Sequence, residues 1–279
     1  MSSNVHTAHY LPTISYVQPG EKSAKAKIIG VIEKLSGRDE VEAVYHQLKN
    51  ETFDSRTFFA RALQLAGIEY RITGSTEEAV PKDGPLVLVA NHPFGVVDGL
   101  MLCDIASRLR GEFRILINNL LCRDEDLDPY FLPIDFRDSK EARQINIATK
   151  RDALKTLADG GVILIFPGGA ISTRTHKGFG AVAEFPWTTF TAKLIAKSRA
   201  TVVPLFFHGN NSRLFHFASG VSEALRASLL LHEARNKMGR NFEVSMGEPI
   251  FYGDVDDLDR RELTRFIYER TWGLSASYR

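Results

Sequence analysis

The stretch Leu86-Val-Leu-Val-Ala-Asn-His-Pro-Phe-Gly-Val-Val-Asp-Gly-Leu100 changes character twice. Leu86–Ala90 is an unbroken apolar run, bounded upstream by Asp83-Gly84-Pro85, and reads as a buried strand. Pro93-Phe94-Gly95 reads as a tight turn. From Val96 onward the spacing predicts a helix through about Arg110. His92 then stands where a strand ends and Asp98 in the first turn of the next helix, the place where open α/β sheets bind their ligands. A histidine with a carboxylate beside it is the usual chemistry for taking a proton from a hydroxyl near neutral pH. One continuous helix would not bring positions six apart onto the same face, but a strand end, a turn and a helix start can. A core histidine bonded to backbone, with Asp98 only a helix-start residue, fits the spacing equally well.

Outward from this segment the pattern alternates. Strands are expected at Tyr70–Thr73, Leu86–Ala90, Phe113–Ile117, Val162–Phe166, Val202–Phe207 and Phe242–Met246. Helices are expected at Asp98–Arg110, Lys140–Ala158, Thr188–Lys197, Ser222–Lys237 and Leu258–Glu269, with Ser139 as an N-cap and Gly160-Gly161 as a stop. Such alternation implies an α/β fold, a mixed and largely parallel sheet flanked by helices. Residues 69–279 form this expected domain. Residues 1–68 read as an extended arm followed by helices over Lys25–Leu35, Asp39–Asn50 and Ser55–Ala66. The last carries Phe58 and Phe59 beside Arg56 and Arg61. It either packs on the main domain or lies in a membrane interface.

Composition narrows the function. The chain has 279 residues, 35 Lys plus Arg against 34 Asp plus Glu, and a formal charge of +1. Nothing in that balance calls for nucleic acid. Two cysteines make no disulfide framework and indicate a reducing compartment. No apolar stretch reaches the length of a spanning helix, and the first residues lack the apolar core of a signal peptide. Eight histidines without an HExxH or HxH pattern give no zinc site, and no glycine motif for dinucleotides or nucleoside triphosphates is present.

Two further segments carry chemistry. Ile165-Phe-Pro-Gly-Gly-Ala-Ile-Ser-Thr-Arg-Thr-His-Lys177 follows a strand, and Gly168 and Gly169 let backbone N–H groups approach a ligand. Ser172, Thr173, Arg174 and Lys177 add donors and positive charge suited to an anion. Read blandly, it is a surface turn. Val203-Pro-Leu-Phe-Phe-His-Gly-Asn-Asn-Ser-Arg213 runs from an apolar strand into an Asn-rich turn, where Arg213 could meet an anionic group or the turn residues simply end the strand.

In order, Asn91-His92…Asp98, Phe166-Pro167-Gly168-Gly169 and Val203-Pro204-Leu205 resemble the NHxxxxD, FPEGTR and VP blocks of the glycerolipid (lysophospholipid) acyltransferase superfamily. The likeness covers Gly84 to Ile250. It extends to the bacterial branch of hemolysin-like proteins and ornithine-lipid acyltransferases through Gly209-Asn-Asn-Ser-Arg-Leu-Phe215, Asn236-Lys-Met-Gly239 and Gly247-Glu-Pro-Ile250. Two departures stand out. Five residues rather than four separate His92 from Asp98, an extra residue that Gly95 lets the turn absorb. Gly168 occupies the place of the FPEGTR glutamate, and Ala170 the place where some branch members carry a carboxylate.

The resemblance implies an enzyme like 1-acylglycerol-3-phosphate acyltransferases. It would move a fatty acyl group from acyl carrier protein or coenzyme A thioester to the hydroxyl of a lyso-lipid, a lysophospholipid or lyso-ornithine type, without metal or other cofactor. His92 would be the general base and Asp98 its orienting partner. Asn91, Gly95, Phe166, Pro167, Gly168, Gly169, Ser172, Arg174, Lys177, Asn211 and Arg213 would line the substrate site. Backbone N–H groups at Gly168 and Gly169 would face the oxyanion or a phosphate. Such an enzyme works peripherally on the cytoplasmic face of the inner membrane, in membrane lipid synthesis. Two other classes fit the same residues: a catalytically silent lipid- or acyl-binding protein, and a thioesterase or lipid hydrolase using His92 to activate water.

Overall fold

Every residue of Leu86–Ala90 is fully buried, and the run divides by alternation. Leu86, Leu88 and Ala90 pack into one apolar layer, Val87 and Val89 into the other. A strand buried on both faces needs helices on both, and the rest of the fold supplies them. The computed structural model describes residue 23 and residues 37–275, apart from 52–53, 55, 123, 175–179, 222–225 and 227–228. The expected arm over 1–22 and helix Lys25–Leu35 lie outside the described residues.

In chain order the elements are α1 (Arg38–Asn50), α2 (Phe58–Leu65), β1 (Glu69–Gly74), β2 (Leu86–Ala90), α3 (Val96–Arg110), β3 (Arg114–Asn118), β4 (Phe131–Ile134), α4 (Lys140–Ala158), β5 (Val162–Ile165), β6 (Thr173–Arg174), β7 (Val182–Ala183), α5 (Phe190–Ser198), β8 (Thr201–Phe207), α6 (Arg213–Val221), α7 (Leu230–Lys237), β9 (Asn241–Met246) and α8 (Arg260–Gly273). The main sheet has seven strands in the order β1-β9-β8-β2-β5-β3-β4, and β6 and β7 form a separate antiparallel pair. Neighbours are parallel except β8 and β9. The fold class is therefore the expected mixed, mainly parallel α/β sheet with helices on both faces.

Register decides where the site sits. Ala90 pairs with Leu205 of β8, and Val89 with Ile165 of β5. The loops after β2, β5 and β8 thus leave the sheet at one edge. Because β9 runs against β8, its first residues arrive at that same edge. Ser139 caps α4 by accepting the Ala142 N–H at 3.1 Å, as its position before an amphipathic run requires.

Two elements differ from the sequence reading. β4 contains Pro133, which cannot donate to a ladder, and β4 is tolerated because it lies at the sheet edge. The segment from Arg213 is a helix, α6, where the Asn-rich turn alone was expected. Of the helix expected over Ser222–Lys237, Leu230–Lys237 is helical, and residues 222–225 and 227–228 lie outside the described residues. Of the two readings of α2, packing on the main domain is the one observed: Phe58 and Phe59 are 6% and 3% exposed, so α2 does not present them to a bilayer. Phe59 packs on Phe58, Phe113 and Tyr130 with ring centroids 5.3, 5.4 and 5.9 Å away. Aromatic burial of this kind holds α2 on the main domain.

Phe59→Ala is therefore expected to lower the free energy of unfolding by about 3–5 kcal/mol, read as a shifted urea midpoint. An unchanged midpoint with weakened vesicle binding would reinstate α2 as a membrane contact.

Candidate active site

The turn after β2 brings His92 to Asp98. His92 Nδ1 lies 3.1 Å from Asp98 Oδ1, close enough to pair but off the straight line of a hydrogen bond, and neither atom has another partner among the described residues. The other Asp98 oxygen accepts the Phe94 N–H at 2.7 Å. One carboxylate thus holds both the turn and the imidazole. Asp98 is completely buried, whereas His92 keeps 18% of its side chain exposed. With Nδ1 facing Asp98, Nε2 is the nitrogen available to a substrate hydroxyl. Gly95 has φ +95°, and a Cβ there would stand 2.8 Å from Ile171 Cδ1, so this turn needs glycine both for its backbone and for its space.

The loop after β5 meets this turn. The Phe166 ring stacks on the His92 imidazole at 4.1 Å and 23°. The Ser172 N–H donates to the His92 carbonyl at 2.8 Å, and Ser172 Oγ lies 3.1 Å from that carbonyl. A carboxylate closes the join. Glu184, just after β7, accepts the His92 N–H at 2.5 Å and stands 3.2 Å from Ser172 Oγ. Its second oxygen accepts the Trp187 indole N–H at 2.7 Å. Burial pushes the Glu184 carboxyl above the usual range, while these donors pull the other way. A Cβ on Gly168 would sit 3.3 Å from Glu184 Oε2 and 3.4 Å from Glu184 Cβ. Glu184 thus puts a carboxylate beside the glycine that stands in place of the expected one. The sequence reading missed it because its only signal is an acidic residue well downstream of the FPGG turn.

The remaining expected residues divide. Gly168, Phe166 and buried Pro167 are at the site, and the Gly168 N–H bonds no protein group among the described residues. The Gly169 N–H is spent on the Phe166 carbonyl at 2.9 Å, so it does not face an oxyanion. Asn91 does not face a ligand either: its amide exchanges bonds with the Phe207 backbone at 3.0 and 2.7 Å, extending the β2–β8 ladder by one side chain. Ser172, only 2% exposed, is committed to His92 and Glu184 rather than to substrate. Arg174 donates to the Gly180 carbonyl at 2.7 Å, and its buried Nε has no partner among the described residues. Arg213 is exposed at the start of α6. Asn211 accepts from Lys237 Nζ at 2.5 Å. Lys177 lies outside the described residues. No group of His, Cys, Asp and Glu side chains among the described residues is arranged to hold a metal ion.

A paired histidine and carboxylate at the edge of a mainly parallel sheet, with an aromatic ring on one face of the imidazole, can take a proton from a hydroxyl and return it to a leaving group. Comparisons with known proteins agree with that chemistry. Two curated relatives are lyso-glycine lipid O-acyltransferases. The one from Bacteroides thetaiotaomicron is 27% identical over 237 residues, 82% of each chain. The one from Phocaeicola vulgatus is 27% identical over 241 residues, 82% of this chain and 80% of its own. The crystal structure of the 1-acyl-sn-glycerophosphate acyltransferase PlsC from Thermotoga maritima has the same fold. It gives a TM-score of 0.51 over 89% of this chain and 88% of that one, at 17% identity. Residues 39–279 match the family described as acyltransferase, and the protein belongs to that family.

Proposed function

We propose that this acyltransferase moves a fatty acyl group from an acyl carrier protein or coenzyme A thioester to the hydroxyl of a lyso-lipid acceptor. The observation that carries the reading is the His92–Asp98 pair, 3.1 Å apart at the sheet edge and anchored from behind by Glu184. The names of the two curated relatives support a lyso-lipid of the amino-acid type as acceptor. The hydroxyl gives its proton to His92 Nε2 as its oxygen bonds to the thioester carbonyl carbon. Collapse of the tetrahedral intermediate breaks the carbon–sulfur bond, and the proton passes from the imidazolium to the departing thiolate. Buried Asp98 stabilises the imidazolium in between. The Gly168 N–H is the donor available for the oxyanion.

The acceptor is a membrane lipid, and no helix of the described residues is long and apolar enough to cross a membrane. In this reading the protein acts from the cytoplasmic surface of the inner membrane through the apolar rim of the site. Phe185 and Phe136, 50% and 63% exposed, border the Gly168–Gly169 turn, and Leu214 and Phe217 project from α6. Exposed rings beside Arg213 suit an anionic bilayer surface.

Acyl transfer predicts thiol release from an acyl thioester that depends on a lyso-lipid acceptor. Acceptor-independent release would favour hydrolysis, and no release a silent binding protein. His92→Ala is expected to slow transfer by about 10²–10⁴-fold with an unchanged melting temperature. Asp98→Asn should cost on the order of a hundredfold or more. Glu184→Ala should cost between about ten- and a hundredfold in kcat through misplacement of His92, with Glu184→Gln recovering part. Equal kcat in Glu184→Ala and wild type would reduce Glu184 to packing. For the rim, Phe185→Ser/Phe217→Ser should lower sedimentation with anionic vesicles while leaving the unfolding midpoint in place. Normal vesicle binding by the double variant would move the membrane contact elsewhere.

A further inference from the structure

Two sequence stretches not used by the acyl-transfer centre, Gly209–Phe215 and Asn236–Gly239, converge on one surface pocket of about 320 Å³. Its wall toward the catalytic turn is Phe94, and its polar lining includes Asn210, Asn236, Asn241, Lys237, Arg240 and Glu233. Gly209 has φ +124°, and a Cβ there would stand 2.8 Å from Phe94 Cζ, so the chain passes against the ring. The pocket backs onto the catalytic pair. The Phe94 N–H holds Asp98, and Asp98 lies within electrostatic reach of Lys237.

The charges in the pocket do not balance. Lys237, 4% exposed, donates to Glu233 Oε2 at 2.9 Å and stands 5.1 Å over the Phe94 ring. Glu233 also accepts the Ser212 N–H at 3.0 Å and its hydroxyl at 2.5 Å. These two charges therefore answer each other. Burial pushes the Lys237 ammonium below its ordinary range, and Arg240 nearby pushes the same way. Burial holds His208, also in the lining, toward its neutral form. What remains is exposed Arg240, which makes no side-chain hydrogen bond or ion pair among the described residues. The Asn210, Asn236 and Asn241 side chains also make no hydrogen bond among the described residues. A single uncompensated guanidinium matches a monoanion. Among the described residues a phosphate dianion would face one free cation, and it would be repelled by Glu233. Three amide side chains offer both donors and acceptors, the complement of an amide group.

We propose that this pocket holds the acceptor's head group, a carboxylate with an adjoining amide, with Arg240 taking the carboxylate and the asparagine side chains the amide. The assignment rests on the acyl-transfer reading for its purpose, but it can be tested apart from that reading. The probe is N-octanoylglycine, compared by isothermal titration with N-octanoylethanolamine, which keeps the amide and lacks the carboxylate, and with glycerol 3-phosphate. The glycine probe is expected to bind at least about tenfold more tightly than either. Arg240→Ala should lose that margin with an unchanged melting temperature, and Arg240→Lys should regain part of it. Asn236→Ala should weaken the glycine and ethanolamine probes alike. In transfer assays on an N-acyl amino-acid acceptor, Arg240→Ala should raise KM and leave kcat in place. Equal binding of the charged and neutral probes, tighter binding of glycerol 3-phosphate, or an Arg240→Ala protein with unaltered probe affinity would each overturn the assignment. Probe binding that depends on Arg240, in a protein that releases no thiol, would uphold the pocket and remove the acyl-transfer reading. Transfer without Arg240-dependent binding would do the reverse.

Discussion

The backbone of His92 is held by a carboxylate from a distant part of the chain, and the geometry of the site depends on that bond. Glu184 receives the His92 N–H, the Trp187 indole N–H and a contact from the Ser172 hydroxyl. None of these donors carries a full charge, so the carboxylate is desolvated without a buried cation directly against it, and burial raises its affinity for a proton. The fold thus binds that proton more tightly than the unfolded chain does. The contribution of this group to stability is fully present below its unfolded pKa and falls as pH rises through the folded value. The loops after β2 and β5 and the β6–β7 pair are joined at this one point. A loop edge so joined keeps the imidazole where Asp98 and Phe166 can orient it.

The sheet supplies the rest of the rigidity. β2 lies near the middle, paired with β5 on one side and β8 on the other. Its side chains alternate into two separate apolar layers. Where the ladder to β8 ends, the Asn91 side chain continues it by exchanging two bonds with Phe207. A buried amide satisfied in this way fixes the level from which the His92 turn departs.

Much of this was legible in the sequence because it depends on local signals. The apolar run Leu86–Ala90, the Gly95 turn and the Asp98 position give the strand, the bend and the helix start, and with them the approach of His92 to Asp98. The Ser139 cap follows from position alone. What was not legible depends on contacts between segments far apart in sequence. Asn91 and Ser172 look like donors awaiting a ligand, and only the approach of Phe207 and Glu184 shows that they are spent within the protein. Phe58 and Phe59 form an apolar helix face, and the partners of Phe59, Phe113 and Tyr130, come from the segments just before β3 and β4, more than forty positions away. Pro133 hides an edge strand because proline argues against a ladder except where no neighbour follows.

The contact between Gly168 and Glu184 also limits how such a site can change over generations. A side chain at 168 presses on the carboxylate at 184, and a carboxylate missing from 184 leaves the His92 N–H and the Trp187 indole unanswered. A lineage moving the acid from one loop to the other must pass through a crowded intermediate or an unanchored one. The two positions are therefore expected to be inherited as a unit, glycine with the downstream glutamate or glutamate without it. That pairing would sort related sequences into two groups more sharply than overall similarity does.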